Sequence, residues 1–289
     1  MKEQKQFEVL KWASLFLEQN KCETQIAEIL LQHHLQMSRT SFIFNMREDV
    51  PEKIIKQFKA DIERHVVTGI PVQHLLGYET FFGRDFIVNE HVLIPRPETE
   101  ELIMHVLKLT ENVKYPLTIA DIGTGSGIIA VTLALEISHA EVFATDISKE
   151  ALKIAKQNAN QLDAKLTFFQ GDFIQPLLEE EKKVDFLVSN PPYIAWEEEA
   201  NLSRTVKNFD PELALFADDN GLAAYKQIMR QAPYVLKENA QIIFEIGYTQ
   251  GEVISDLIRS TFPQSKVEVI ADINGNDRIV SAQIVNYQK

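Results

Sequence analysis

The sequence predicts an α/β protein in which a seven-stranded, doubly wound, mostly parallel sheet follows a small helical domain. Three observations predict it. From Leu117 onward, short apolar runs alternate with amphipathic helical stretches. A glycine-rich turn, Gly123-Thr124-Gly125-Ser126-Gly127, follows the first apolar run. Residues 1–75, by contrast, repeat their apolar positions at helical spacing and show no strand signal.

The helical domain is read from Val9, Trp12, Ala13, Phe16 and Leu17, and again from Ile26, Ile29 and Leu30. Ile54, Ile55, Phe58 and Ile62 continue the pattern beyond a break at Pro51. These stripes are read as the domain's own core. From Leu76 to Val88 an alternating, aromatic-rich run containing Gly77 and Gly83 reads as a β-hairpin. Pro95 and Pro97 stiffen the segment after it, and Glu98 or Thr99 opens a helix running to about Leu109. The expected division is residues 1–75 for the bundle, 76–98 for hairpin and linker, and 99–289 for the α/β domain.

Strands are expected near 117–122, 141–145, 166–170, 184–189, 240–246, 266–271 and 278–285. Lys149–Gln161 and Gly221–Leu236 are expected helices between them. The last two strands are joined only by Ala271–Asp277, too short for a helical crossover, so the final strand should run antiparallel.

Composition narrows the class. The chain has 289 residues and is 45% hydrophobic, enough for a real core. Its single cysteine, Cys22, permits no internal disulfide and suits a reducing cytoplasm. The charged N-terminus does not read as a signal peptide. No apolar run approaches the ~20 residues that span a bilayer. The seven histidines never share a ligand pattern with cysteines or carboxylates, so no metal is expected. Net charge is -13, and it is unevenly spread. Residues 1–80 carry ten basic and eleven acidic side chains, whereas 81–289 carry nineteen and thirty-one. Nucleic-acid binders neutralise phosphates with basic surface, so an acidic body argues against DNA or RNA.

The candidate site lies at strand ends. Glycines let the backbone turn sharply and approach a ligand. The spacing here is G-x-G-x-G, unlike the dinucleotide pattern, and no Walker lysine follows. Asp146 ends the next strand and can accept hydrogen bonds from both hydroxyls of a ribose. At the end of the third strand, Asp172 can take an adenine amino proton and Phe173 can pack on the ring. Singly, such acids are often only helix caps. Together and in order they suit an adenosine without phosphates. The strand Val184–Val188 leads into Ser189-Asn190-Pro191-Pro192-Tyr193. Two prolines cannot continue a central strand, so Asn190 stands at the sheet's carboxyl edge. A side-chain amide, a proline carbonyl and a tyrosine ring form a socket for a planar NH2 group. Asn-Pro alone is usually an ordinary turn.

Asp121 through Gly127 resembles motif I of class I S-adenosylmethionine (SAM) methyltransferases. Asn190-Pro191-Pro192-Tyr193 resembles the motif of methyltransferases acting on amide or base nitrogens. Pro71–Gly77, Ile94–Glu100, Pro211–Leu215, Glu245–Tyr248 with Gln250-Gly251, and Asp272–Val280 are similar to the HemK-type (PrmC) glutamine N5-methyltransferases of peptide-chain release factors. The resemblance covers residue 70 to the end. Phe173 stands where that family often has tryptophan.

The resemblance implies a Rossmann-like class I sheet and methyl transfer from SAM, leaving S-adenosylhomocysteine, to the glutamine of a Gly-Gly-Gln segment. It implies Gly123, Thr124, Gly125, Ser126, Gly127, Asp146, Asp172, Phe173 and Asn190 as cofactor residues. It implies Asn190, Pro191, Pro192 and Tyr193 around the acceptor, with Asn190, Pro191 and Tyr193 catalytic. Glu98 either lines the methyl-donor pocket or is simply a carboxylate at a helix start. The expected partner is a release factor docked by the helical domain onto a monomeric enzyme, without DNA or membrane. The competing readings are an adenine-N6 or cytosine-N4 nucleic-acid methyltransferase and a non-catalytic SAM-binding module. Ser126 and Ser189 have no histidine partner in the sequence pattern, which argues against a hydrolase triad.

Overall fold

The computed structural model describes residues 4–285, apart from the side chain of Arg204. Residues 1–3 and 286–289, at the two ends of the expected domains, lie outside the described residues. The chain divides into two compact units, Met1–Tyr78 with Ser203–Phe209, and Glu79–Leu202 with Asp210–Lys289.

The first unit is helical: α1 (Gln6–Gln19), α2 (Gln25–Leu35), α3 (Arg39–Phe44), α4 (Glu52–Thr68) and α5 (Val72–Leu76). Val9, Ala13 and Leu17 form one buried stripe on α1, and Ile55, Phe58 and Ile62 another on α4. With Leu30, Leu31 and Phe42 they make one core. Ser38 caps α3 by accepting the Ser41 N–H, and α4 ends at Gly69, whose φ of +76° suits glycine. Gln4–Lys5 pairs antiparallel with Asp49–Val50, a bridge the sequence did not foretell. Two residues are too few to display an alternation. The helix Arg204–Phe209 also belongs here. Thr205 Oγ1 lies 3.4 Å from the Gly69 carbonyl, and the Phe209 ring meets His74 edge-on at 6.3 Å.

The second unit holds a seven-stranded sheet. Its strands are β1 (Leu117–Ile122), β2 (Ala140–Asp146), β3 (Thr167–Gln170), β4 (Val184–Ser189), β5 (Leu236–Glu245), β6 (Lys266–Ala271) and β7 (Asp277–Gln283). Their spatial order is β6-β7-β5-β4-β1-β2-β3. β1 to β5 pair in parallel, whereas β7 runs antiparallel to both β5 and β6. Neighbouring residues feed opposite faces. Phe143, Leu187 and Phe244 pack on one side, and Val142, Ala144, Phe186, Val188 and Ile243 on the other. A sheet buried on both faces explains why these strands read as continuous apolar runs. Among the described residues, no helix is long and apolar enough to cross a membrane.

The expected helix Gly221–Leu236 is shorter than its pattern. It runs Ala223–Gln231, and a 3-10 turn, Ala232–Tyr234, follows. Gly221 has φ +80° and stands outside it, while Pro233 lacks the N–H a longer helix would need. β5 starts at Leu236, where its polar Lys237-Glu238-Asn239 disguises a strand with an irregular register against β4. The hairpin strands Tyr78–Phe81 and Arg84–Ile87 lead from the sequence expected as a linker, yet Phe81 and Phe86 are buried in the sheet's own core beside Leu102 and Val106.

Phe58 is fully buried in the helical core. Phe58→Ala is expected to destabilise the helical unit by ~3–5 kcal/mol. Urea titration followed by far-ultraviolet circular dichroism should show helical signal lost at lower denaturant, with the sheet unit's transition unmoved.

Candidate active site

The strand order reverses between β1 and β4, the two central strands. From β1 the chain proceeds outward to β2 and β3, then returns to β4 on the other side. Loops leaving the carboxyl ends of two such strands diverge and leave a crevice between them. The glycine turn leaves β1 there and Asn190 leaves β4. Ser189 Oγ donates to the Ile122 carbonyl at 2.6 Å, tying the two strand ends together. That hydroxyl is thereby committed to the backbone.

The glycine turn rests on a buried acid. Asp121 Oδ2 accepts the Thr124 hydroxyl at 2.6 Å and the Ala130 N–H at 3.1 Å, while its Oδ1 has no partner. Burial pushes its carboxyl up to about 7, opposed by those two hydrogen bonds. Gly123, Gly125 and Gly127 have φ of +74°, +56° and +85°, a run that side chains rarely tolerate. Gly127 has a second reason to be glycine. A Cβ there would lie 3.1 Å from the Ala155 Cβ, where the following helix α7 (Ile128–Glu136) packs against α8 (Lys149–Gln161). The buried Asn158 braces the turn from behind. Its Nδ2 donates to the carbonyls of Ser126 and Ile87, and its Oδ1 accepts the Ile87 N–H.

A cleft opens over this turn. Gly123, Thr124, Gly125 and Ser126 form its floor, joined by Asp146, Asp172, Phe173, Asn190 and Pro192. Asp146 Oδ2 accepts the Gly125 N–H and Oδ1 the Ser148 N–H, both at 2.8 Å. Burial raises the carboxyl's pKa, opposed by the backbone N–H groups of Ser148, Gly125 and Ile147. Asp172 Oδ2 accepts from Gln227 Nε2 at 3.1 Å. Phe173, at φ +44°, and the half-exposed Ile147 both line the cleft. Of the sequence-derived candidates, Gly127, Pro191 and Tyr193 do not line this cleft. Gly127 caps α7, Pro191 is buried, and Tyr193 is half-buried against the sheet core. Burial, with Glu245 as the next cause, pushes the Tyr193 phenol up to about 12, so it stays neutral. Among the described residues no three His, Cys, Asp or Glu side chains come together to hold a metal.

The loop Asn190–Tyr193 is held by residues that sequence reasoning did not single out. Gln250 Nε2 donates to the Tyr193 carbonyl at 3.0 Å while its Oε1 accepts the Gly247 N–H at 3.0 Å. Gly221 lies against the same carbonyl, where a Cβ would come within 2.1 Å of the oxygen. The segment after the hairpin reaches four elements with four side chains. Arg96 pairs with Asp210 at 2.7 Å, and the Thr99 hydroxyl donates to Glu245 at 2.7 Å. Glu100 accepts the Phe82 N–H at 2.6 Å and Glu101 the Ile273 N–H at 3.1 Å. The last three belong to α6 (Glu98–Thr110), and Glu98 is its first residue, outside the cleft lining. Asp272 closes the β6–β7 turn by accepting the Asn274 and Asn276 N–H groups and the Arg278 guanidinium. Several of these residues lie in family-like stretches, but only pairing across the fold reveals what each one does.

The fold and the two loops define a class I methyltransferase. Among solved structures, the chain is similar to the hMettl16 catalytic domain in complex with the MAT2A 3′UTR hairpin 6, with a TM-score of 0.55 and 18% identity, covering 82% of this chain and 83% of that one. It is also similar to a methyltransferase from Pyrococcus furiosus, with a TM-score of 0.52 and 17% identity over 71% of this chain and 90% of that one. Residues 8–77 match the PrmC N-terminal domain and residues 99–209 the methyltransferase small domain. Release factor glutamine methyltransferases are 47% identical in Bacillus cereus, covering 96% of this chain and 99% of that protein, and 46% identical in Bacillus subtilis, covering 96% and 97%. The chain belongs to the release factor glutamine methyltransferase family.

Asp121 supplies a test of the site's electrostatics. Its folded pKa stands above the ordinary 3.8, so the folded state holds its proton more tightly than the unfolded chain. The stability this contributes is present at low pH and is lost as pH rises through about 7. An asparagine does not titrate. Asp121→Asn should therefore gain stability relative to the parent as pH rises from about 5 to 8, by a few kcal/mol at most. Thermal melts of the ligand-free proteins across that range check it, and a pH-independent difference would refute it.

Proposed function

We propose that this enzyme transfers a methyl group from SAM to N5 of the glutamine in a Gly-Gly-Gln segment of a peptide-chain release factor. One observation carries the reading: the adenosine-type wall and Asn190 open onto a single cleft at the β1/β4 crevice. The nucleoside and the acceptor nitrogen can therefore meet there.

The residues fit SAM. The glycines leave the backbone of the turn open to a ligand, since a Cβ at Gly123 or Gly125 would meet nothing within 4 Å. Asp146 would accept from the ribose hydroxyls, and Asp172 would take the adenine amino group beside the Phe173 ring. When bound, SAM supplies a methyl carbon made electrophilic by its sulfonium sulfur.

The protein's task is the acceptor. An amide nitrogen is a poor nucleophile because its lone pair is delocalised into the carbonyl. In the proposed arrangement Asn190 Oδ1 accepts one N–H of the substrate amide and the Pro191 carbonyl the other. Both protons then point away from the donor and the nitrogen lone pair toward it. Pro191 and Pro192 stiffen the loop, and Tyr193 holds the amide plane. Held in this way, the acceptor nitrogen would take the methyl group as S-adenosylhomocysteine leaves, and would release its proton to solvent. Catalysis is positioning and electrostatics. We place the reaction in the cytoplasm and assign release-factor docking to the helical unit.

Labelled SAM offered to a release factor should label it, and should leave unlabelled both the same factor with its Gly-Gly-Gln glutamine replaced and duplex DNA. Asn190→Ala should cut transfer by ~100-fold or more while SAM binding persists. Label on DNA would instead assign the socket to a flipped base.

A further inference from the structure

We propose that Thr99 and Glu245 are positioning residues that fix which way the Asn190 side-chain amide points. The inference rests on the reading of Asn190 as the group that receives the acceptor amide.

Glu245 ends β5 and is 2% exposed. A carboxylate can only accept hydrogen bonds. Thr99 is also buried, and its hydroxyl donates its single proton to Glu245 Oε2 at 2.7 Å. The Thr99 oxygen is left able only to accept. Asn190 Nδ2 lies 3.5 Å from that oxygen, and the Asn190 amide favours the charged form of the Glu245 carboxylate beyond it. The amide nitrogen, which can only donate, faces a side that can only accept. Turned over, the amide would present Oδ1 to the Thr99 oxygen, losing that hydrogen bond and setting acceptor against acceptor. The polarity thus runs one way, from Asn190 through Thr99 to Glu245. Asn190 Oδ1 is held on the side away from them, free to accept a substrate N–H. An isolated asparagine has no such preference, because its two ends are nearly the same shape.

The lock depends on Glu245 being ionised. Arg278 on β7 favours the charged form, and Glu98 on α6 opposes it. Tyr193 and Tyr225 also face Glu245, both as neutral phenols, and the Tyr225 hydroxyl donates to the Glu245 backbone carbonyl at 2.7 Å. Burial is the largest influence and pushes the carboxyl up to about 7. Below that pH the neutral acid acquires an O–H of its own, and Thr99 can reverse and accept from it. The direction of the Asn190 amide is then no longer dictated.

The test uses the full chain with an intact release factor. Thr99→Val keeps the shape and removes the hydroxyl. It should lower kcat ~10–100-fold, the cost of an acceptor amide met by the wrong end of Asn190, and Thr99→Ser should restore most of the rate. SAM affinity by calorimetry should change less than about twofold. In the ligand-free protein, the Asn190 side-chain NH2 signals, assigned by their loss in Asn190→Ala, should shift with pH around 7 and should stop doing so in Glu245→Gln. Wild-type kcat in Thr99→Val, with Asn190→Ala inactive, overturns the inference and leaves the acceptor reading standing. Full activity of Asn190→Ala overturns the acceptor reading itself. Should Thr99→Val not fold, Asn190 signals that stay fixed between pH 5 and 9 overturn the inference.

Discussion

The site depends on the parallel pairing of β1 with β4 and on the chain leaving that pair in two directions. Ile119, Ala120 and Asp121 stand opposite Phe186, Leu187 and Val188, all buried. Register here is set by apolar residues on both faces, and a slip of one residue would exchange the faces. Two residues beyond this paired zone, the strands end as a glycine turn and as Asn190. Their separation is therefore fixed by core packing, and the 2.6 Å Ser189–Ile122 hydrogen bond closes the last step. A reaction that works by placement needs a frame of this stiffness.

Conformation and charge are strained at the same places. The glycine turn uses three left-handed glycines and sits on a fully buried carboxyl with one unpartnered oxygen. A second carboxyl, Glu245, is buried beside Thr99. Buried acids are costly, and neither is neutralised by a close ion pair. Each instead accepts a threonine hydroxyl, Thr124 on Asp121 and Thr99 on Glu245. The two halves of the site are thus built alike, each with a buried acid orienting a neutral group at the cleft. Stability is spent where orientation matters.

The sheet was legible in the sequence because its strands are buried on both faces and read as apolar runs, and because a short final connection forces the last strand to reverse. The residues that line the cleft were brought together by chain order. Gly123, Asp146 and Asp172 follow successive strands, so order along the chain maps directly onto order across the sheet. The misreadings have physical causes. Lys237-Glu238-Asn239 hid the first half of β5, and a two-residue bridge gives no period. The hairpin looked like a linker because sequence cannot show that Phe81 and Phe86 are buried against α6. Least legible were the groups that brace the loop Asn190–Tyr193. Thr99, Gln250 and Gly221 lie 91, 57 and 28 residues from their partners Asn190, Tyr193 and Tyr193. No local pattern encodes contacts of that kind.

The segment Arg96–Glu101 shows why a motif can be dense in charge and yet meet little ligand. Arg96 and Thr99 reach the cleft, but the carboxylates of Glu100 and Glu101 serve backbone N–H groups of the hairpin and of the β6–β7 turn. α6 begins with three glutamates at a helix N-terminus, where negative charge is favourable. The same first turn therefore stabilises its own helix, fastens two other elements and delivers the Thr99 hydroxyl to Glu245. Removing a glutamate that never meets substrate would still disturb the socket, because the helix carrying Thr99 is located by those contacts. The geometry around Asn190 is a property of the whole helix start, and the residues that line the cleft are the last in a chain of constraints that begins in the core.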